Sequence, residues 1–492
     1  MPEDSHLPPG RQWKTLDKDL GRISQLELAA QYVSRPMVGL GVALAFMVIV
    51  GLTAAMLTGS GATSVVIVAA AVLGAYMAIN IGANDVANNM GPAVGANALT
   101  MGGAIVIAAL CESAGALLAG GDVVSTISKG IIAPESVADP HIFIWAMMAA
   151  LTSSALWVNL ATWIGAPVST THSVVGGVMG AGIAAAGFGA VNWSGMGAIA
   201  LSWVVSPVLG GVVAAGFLAF IKAYIIYQDD KIAAARRWVP VLVGIMAGSF
   251  AAYLALKGLK KVVHIDMGSA ILIGVVTGAF SYAASAPYVR RRSEGMENRN
   301  KSLKALFALP LVISAALLSF AHGANDVANA VGPLAAIVHA VDAGSFAGKV
   351  SIPTWVMIIG AFGISFGLVL FGPKLIRMVG SQITKLNPMR AFCVALSAAI
   401  TVIVASALGL PVSSTHIAVG AIFGVGFFRE WYSERRRPKP VGGRKLAVEE
   451  RRRRKLVRRS HFLTIVAAWV ITVPAAALMS ALVFLLLNAI FV

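Results

Sequence analysis

The stretch GANDVANNMGP, residues 82–92, places one aspartate and three asparagines within an otherwise apolar segment. That segment, residues 62–98, is 37 residues long, whereas about 20 residues are enough to cross a bilayer. A carboxylate at this depth is costly and is usually functional, so Asp85 is a candidate site residue. The motif opens with glycine and closes with Gly-Pro, and both signals predict that the helix is broken on either side of Asp85.

The same motif occurs a second time, as GANDVANAVGP at residues 323–333. A second pair of motifs follows in the same order, PVSTTH at 167–172 and PVSSTH at 411–416. The copies of the first motif are 241 residues apart, and those of the second are 244 apart. Near-constant spacing of two different motifs indicates a duplicated structural unit.

The composition is that of a membrane protein. The chain has 492 residues, of which 58% are hydrophobic and 12% charged, with a mean hydropathy of +0.81. Its net charge of +17 is concentrated in short polar loops, which indicates positive-inside topology and not a nucleic-acid partner. Cys111 and Cys393 lie in apolar surroundings and suggest neither a disulfide nor a metal site. Phosphate-loop and zinc-protease motifs are lacking, so we predict a protein that is not an enzyme and needs no cofactor.

The apolar segments predict an all-α polytopic membrane protein with 12–13 transmembrane segments. Two repeats of five crossings are joined by a linker of two spans. An odd crossing number gives the repeats inverted topology, and their matching loops carry opposite charge. The predicted parts are a cytoplasmic tail at 1–36, an additional helix at 37–57, the first repeat at 62–222, the linker at 223–302 and the second repeat at 303–490.

Charged loops set the predicted orientation in the plasma (inner) membrane. The loop at 429–462 contains EERRRRKLVRRS and is predicted to be cytoplasmic. It either is simply solvated or binds anionic lipid or a regulator. The loop at 372–390 is basic and its counterpart at 121–141 is acidic, which places them on opposite sides. The N-terminus is then cytoplasmic and the C-terminus outside.

The PVS[ST]TH motifs predict two helix N-termini inside the bilayer. Proline is favoured in the first helical turn and serine or threonine at the cap, so unpaired N–H groups and hydroxyls would attract an oxyanion. The alternative is that the hydroxyls bond back to helix carbonyls. His172 and His416 are expected to orient these turns. The candidate anion donors are Ser169, Thr170, Thr171, Ser413, Ser414 and Thr415.

The GANDVAN motifs offer oxygen ligands on one helical face, a set that suits a hard cation. Capping of a kinked helix is the alternative role. No lysine or arginine lies inside the motifs, so a multiply charged anion beside two aspartates would be unfavourable unless cations bind too. The candidate cation ligands are Asn84, Asp85, Asn88, Asn325, Asp326 and Asn329, with sodium possible at Asp85 and Asp326.

Two further ionisable residues lie within apolar segments, Glu112 in ALCESAGALLAG and His322 directly before the second GANDVAN motif. We predict that both take part in coupling or gating. The alternatives are a locally paired structural acid for Glu112 and a plain hydrogen-bonded residue for His322.

The duplicated motif pair resembles the inorganic phosphate transporter (PiT) family, over residues 62–490. The resemblance implies symport of inorganic phosphate with sodium ions or protons by alternating access, in a protein surrounded by membrane lipids. A sulfate permease of the same family, an anion channel and a membrane-embedded phosphotransfer enzyme remain alternatives, and a homodimer remains open. The resemblance implies that phosphate is bound by Asp85, Asn88, Ser169, Thr170, Thr171, Asp326, Asn329, Ser413, Ser414 and Thr415.

Overall fold

The computed structural model describes residues 37–59, 61–132, 137, 139–164, 168–258, 265–343, 352–382, 386–435 and 459–491. The predicted tail at 1–36 and most of the predicted basic loop lie outside these residues. The described residues form fifteen α-helices. In chain order they are α1 (Met37–Thr58), α2 (Ala62–Gly95), α3 (Met101–Ala119), α4 (Gly121–Lys129), α5 (Pro140–Ile164), α6 (Thr170–Ala186), α7 (Trp193–Ile221), α8 (Lys231–Lys257), α9 (Met267–Arg292), α10 (Asn300–Leu306), α11 (Ala308–Ala343), α12 (Thr354–Gln382), α13 (Pro388–Ala407), α14 (Ser414–Arg435) and α15 (Arg459–Phe491).

The chain divides within α1 into a unit that ends at Phe46 and a unit that begins at Met47. The first unit is helical from Met37 onward. The second unit contains every motif discussed above, and the packing described below is internal to it.

Eleven helices in the described part of the chain are long and apolar enough to cross a membrane. The protein is therefore a multi-pass membrane protein. The sequence-based number of 12–13 was higher because it included the two helices that follow the PVS motifs. Of these, α6 has only 17 residues, and α14 carries charged residues towards its end.

The predicted helix breaks at the GANDVAN motifs are wrong. Helix α2 runs without interruption from Ala62 through Pro92 to Gly95, and α11 runs from Ala308 through Pro333 to Ala343. Proline removes one backbone hydrogen bond, but a long buried helix keeps its other bonds and its packing. In the second half the chain is non-helical at the PVS motif, between the end of α13 at Ala407 and the start of α14 at Ser414, and in the first half α6 begins directly after the PVS motif.

The motif glycines serve close helix packing. A methyl group at Gly82 of α2 would collide with the Ile364 carbonyl of α12, and one at Gly323 of α11 would collide with the Glu112 carbonyl of α3. Small residues allow such close backbone approach between membrane helices. The two contacts correspond between the halves of the chain, and they make Ile364 the counterpart of Glu112.

Two predicted loops are partly helical. Helix α4 lies within the predicted loop 121–141, and α12 extends to Gln382 within the predicted loop 372–390. Helices α3 and α4 together cover the same 29-residue length that α12 covers unbroken. The predicted loop at 429–462 is also shorter at both ends, because α14 continues to Arg435 and α15 begins at Arg459.

Candidate functional site

Asp85 connects the PVS motifs of both halves. Its side chain lies on α2 and is only 1% exposed. One carboxylate oxygen accepts a hydrogen bond from Thr170 Oγ1 at 2.8 Å, and the other accepts one from Thr415 Oγ1 at 3.0 Å. Thr170 and Thr415 begin two different helices, so this one carboxylate fixes the starts of α6 and α14 relative to each other.

Asp326 lies on α11 in the corresponding position and is also 1% exposed. Its Oδ2 accepts a hydrogen bond from Ser414 Oγ at 3.0 Å. Its Oδ1 is buried and has no hydrogen-bond partner among the described residues. One oxygen of Asp326 is therefore available to a ligand.

The asparagines one helical turn further on bond across the two halves. Asn88 donates to Thr415 Oγ1 at 2.8 Å, and Asn329 donates to Thr171 Oγ1 at 3.1 Å. Each GANDVAN motif thus donates a hydrogen bond to the helix that follows the PVS motif of the other half. The two motif pairs form one centre, as sequence analysis predicted from their duplication.

The predicted helix N-termini are present at both PVS motifs. Helix α6 begins at Thr170, and the Ser169 hydroxyl accepts a hydrogen bond from the His172 backbone amide at 3.1 Å. In the second copy Ser413 Oγ accepts a hydrogen bond from the His416 backbone amide at 3.3 Å. The first-turn amides of a helix have no intrahelical partner and give its N-terminus a partial positive charge. Pro167 lies outside the described residues.

Asn84 and Asn325 bond to hydroxyl residues that sequence analysis missed. Asn84 donates to Thr162 Oγ1 of α5, and Asn325 donates to Ser406 Oγ of α13, both at 2.9 Å. Thr162 and Ser406 each precede the proline of a PVS motif by five residues. This matching position in the two copies was a signal that could have identified them.

Glu112 and His322 extend the centre in one direction. Both are fully buried, and His322 Nδ1 lies 3.1 Å from Glu112 Oε1. On its other side His322 Nε2 lies 2.9 Å from Asp326 Oδ2 and 3.9 Å from Asp85 Oδ2. Asn89 Nδ2 donates to Glu112 Oε1 at 2.9 Å. These contacts form a continuous polar chain from α3 to both aspartates.

This chain of polar side chains has no equivalent at the matching positions of the other half. His322 stands where the first motif has Ile81, and Glu112 stands where α12 has Ile364. The two charged residues that have no counterpart therefore contact each other. Glu112 is thus locally paired, and it reaches the aspartates only through His322.

Several oxygens of the described centre have no hydrogen-bond partner. Five buried side-chain oxygens have no hydrogen-bond partner among the described residues, and no lysine or arginine described here pairs with either aspartate. Buried acceptors are normally satisfied, so these oxygens are candidate ligand atoms. Asp85, His322 and Asp326 can each turn one ligand atom to within 4.8 Å of the others. The unsatisfied atoms are Asn84 Oδ1, Asn89 Oδ1, Glu112 Oε2, Asp326 Oδ1 and Asn329 Oδ1.

The predicted site residues are thus brought together, with one difference of detail. Ser169 and Ser413 cap their own helices, whereas their neighbours Thr170, Ser414 and Thr415 contact the aspartates. Fold and site together define a class of protein: a multi-pass helical membrane protein with a desolvated anionic centre between paired helix N-termini.

Known proteins are similar to this chain in sequence and in fold. The sequence profile of the phosphate transporter family matches residues 81–480. A Helicobacter pylori protein assigned as a phosphate permease is 44% identical, over 96% of this chain and 99% of the relative. A Pyrococcus abyssi protein with the same assignment is 35% identical, over 85% of this chain and 96% of the relative. A solved structure, the sodium-dependent phosphate transporter, has a TM-score of 0.77 and 35% identity, covering 87% of this chain and 100% of that one. The chain belongs to the phosphate transporter family, which confirms the predicted resemblance.

Proposed function

We propose that this protein carries inorganic phosphate across the membrane by symport with a cation, and that the cation is sodium. The observation that carries the proposal is a buried centre with unsatisfied oxygens and two helix N-termini but no lysine or arginine partner among the described residues. Family membership supports phosphate as the anion, and the structural relative, a sodium-dependent phosphate transporter, supports sodium.

The cation would bind at the carboxylate and amide oxygens of the GANDVAN motifs. Oxygen-only ligands suit a hard cation such as sodium. Asp326 Oδ1 and Asn329 Oδ1 have no partner among the described residues and would serve as ligands without loss of an existing hydrogen bond. Asp85 would join them once its hydroxyl partners turn away. A proton on either aspartate is the alternative way to neutralise the charge.

Phosphate would bind at the starts of α6 and α14. First-turn amides and the helix dipoles favour an oxyanion there. The hydroxyls of Thr170, Ser414 and Thr415 currently donate to the aspartates. A bound cation would compete for those carboxylates and free the hydroxyls to donate to phosphate. Cations therefore bind first, which makes coupling obligatory.

The two halves would exchange access to this centre by moving against each other. The corresponding hydrogen bonds of Asp85 with Thr170 and of Asp326 with Ser414 support two repeats around one site. We assign the repeats to residues 62–222 and 303–490 with inverted topology, joined by the linker at 223–302. The N-terminus is then cytoplasmic and the C-terminus outside.

Proteoliposomes with imposed gradients test this function. We expect phosphate to accumulate against its own gradient when an inward sodium gradient is imposed. A proton gradient without sodium would drive little uptake, and sulfate would not compete. Uptake that only dissipates a phosphate gradient would establish a channel. Sulfate accumulation would favour a sulfate permease, and proton-driven uptake would replace sodium by protons.

The Glu112–His322 pair is proposed to couple cation binding to movement, and the Ile81 and Ile364 counterparts suggest a matched test. Glu112→Ile and His322→Ile should each destabilise the protein, because each leaves a buried ionisable partner unpaired at a cost of about 3–5 kcal/mol. The double variant, which copies the other half, should be destabilised by less than the sum of the two single variants, because Glu112 is no longer left unpaired although Asp326 still loses His322.

Thermal unfolding of the three variants in detergent measures this double-mutant cycle. Sodium-driven uptake should stay low in the double variant even though its destabilisation is less than additive. Normal uptake by the double variant would show that the pair has a structural role only, and additive destabilisation would show that the two residues do not interact.

A further inference from the structure

A large apolar cavity lies behind the anion-binding turns, between α7, α14 and α15. Its volume is about 1060 Å³, at the upper end of the range of about 300–1,000 Å³ typical of small-molecule pockets. Val204, Val208 and Val212 of α7 line it, and each is more than 60% exposed. The cavity is therefore open along one side, where hydrocarbon chains surround a membrane helix.

The cavity follows one face of α14. Its lining residues recur every three or four positions from His416 to Trp431, as expected for a single helical face. At 1.5 Å per residue this face is about 22 Å long. Half of a bilayer hydrocarbon core is about 15 Å thick, so the lining face is long enough to span one leaflet and to continue beyond it. The α14 residues that line it are His416, Gly420, Phe423, Gly424, Phe427, Phe428 and Trp431.

Aromatic rings close the inner end. His416 stacks on Trp469 at 3.8 Å between ring centroids and meets His172 edge-on at 4.4 Å. Trp203 packs on the other side of His172 at 3.9 Å. These rings separate the cavity from the hydroxyls of the adjacent turns. The histidines support those turns by ring packing, since no side-chain hydrogen bond joins them to a described hydroxyl.

The outer end of the cavity is basic. Lys222 Nζ lies 5.2 Å from the centroid of the Phe428 ring, and the Arg435 guanidinium lies 5.4 Å from that of Trp431. Phe428 and Trp431 line the cavity, so both cations lie next to residues of its outer end, and Lys222 Nζ also lies 4.0 Å from the centroid of the Tyr432 ring. The next residues in sequence, 436–458, include the basic run RRRRK. Basic clusters beside membrane helices attract anionic lipid headgroups.

We propose that this cavity is a binding site for one anionic diacyl phospholipid. An acyl chain fills the apolar cavity, and the headgroup lies at Lys222 and Arg435. The apolar lining and the lateral opening select a lipid chain, whereas the nearby positive charges select an anionic headgroup over a zwitterionic one. The site is separate from the proposed transport centre, and its test does not depend on transport activity.

Native mass spectrometry of the full-length protein tests the site by comparing phosphatidylglycerol with phosphatidylcholine of the same chains. The wild type should bind phosphatidylglycerol more tightly. Val208→Trp should remove this binding because the larger side chain fills the cavity, and Val212→Trp, one turn further along the same face, should do the same. Val205→Trp is the matched control, because Val205 is exposed on α7 but does not line the cavity.

The charge is tested with Lys222→Gln combined with Arg435→Gln. Phosphatidylglycerol binding should weaken about fivefold for each charge removed, and phosphatidylcholine binding should stay constant. Arg290→Gln with Arg291→Gln, two exposed arginines at the end of α9, is the control pair. Equal binding of both lipids to the wild type would overturn the proposal, as would undiminished phosphatidylglycerol binding in the cavity-filling variants. A change from dimer to monomer without loss of lipid would identify a second copy of the chain as the occupant.

Discussion

Replacing Asp85 by asparagine is expected to reduce sodium-driven phosphate uptake by at least about a hundredfold, because the proposed cation site loses a charged ligand and about 3 kcal/mol of lost cation affinity corresponds to roughly that factor. The Asp85 carboxylate accepts hydrogen bonds from hydroxyls at the starts of both α6 and α14. Without its charge the proposed cation site loses a ligand, and the threonine hydroxyls are no longer released in response to a cation.

The fold of the Asp85→Asn variant should be preserved. Asparagine has the same shape, and a threonine hydroxyl can rotate to accept from the new amide group. Uptake into proteoliposomes and thermal unfolding of the same preparation separate transport from stability. Asp122→Asn is the control, because Asp122 is a half-exposed acid paired with Lys257 at 2.7 Å outside the centre. Normal uptake in Asp85→Asn would refute the proposed cation site.

Gly82→Ala is expected to destabilise the protein by at least about 1–3 kcal/mol, as overpacking does in a close-packed interior. The added methyl group would collide with the Ile364 carbonyl and lie 2.9 Å from the Leu368 amide nitrogen, both on α12. These are backbone atoms, so relief requires α2 and α12 to separate. Asp85 lies on the same helix three residues away, and uptake should therefore fall together with stability.

Gly216→Ala is the matched control, since Gly216 lies in α7 and has no neighbouring atom within 4 Å of an added methyl group. Alanine should be neutral there or stabilising by up to about 1 kcal/mol through its helix propensity. Thermal unfolding in detergent with size-exclusion chromatography measures both variants. Equal stability of Gly82→Ala and wild type would show that α2 and α12 do not require this close approach.

Much of the candidate site was predictable, because both motifs occur twice in the sequence and the two copies can be compared. Two motifs that recur at nearly equal spacing identify Asp85, Asp326 and the hydroxyl turns as one duplicated site. Glu112 and His322 were identified because ionisable groups are rare in apolar segments. These inferences need only residue type and spacing.

The helix breaks predicted at the GANDVAN motifs are wrong, because glycine and proline can interrupt a membrane helix but do not always do so. Gly82 and Pro92 interrupt an isolated helix, but in the folded protein Gly82 lets α12 approach closely and α2 continues past Pro92. The choice between breaking and packing depends on the neighbouring helix, which local sequence does not specify.

The amino-acid sequence by itself determined the membrane environment, the duplication and the chemistry of the ligand groups, since hydropathy, spacing and functional groups are properties of the chain. Only the tertiary structure decided which groups meet. Asn88 reaches Thr415 and Asn329 reaches Thr171 across the two halves, whereas Glu112 pairs with His322 on one side only. Such contacts depend on how helices more than 80 residues apart in sequence pack together, and they exist only once the glycine-lined crossings bring those helices together.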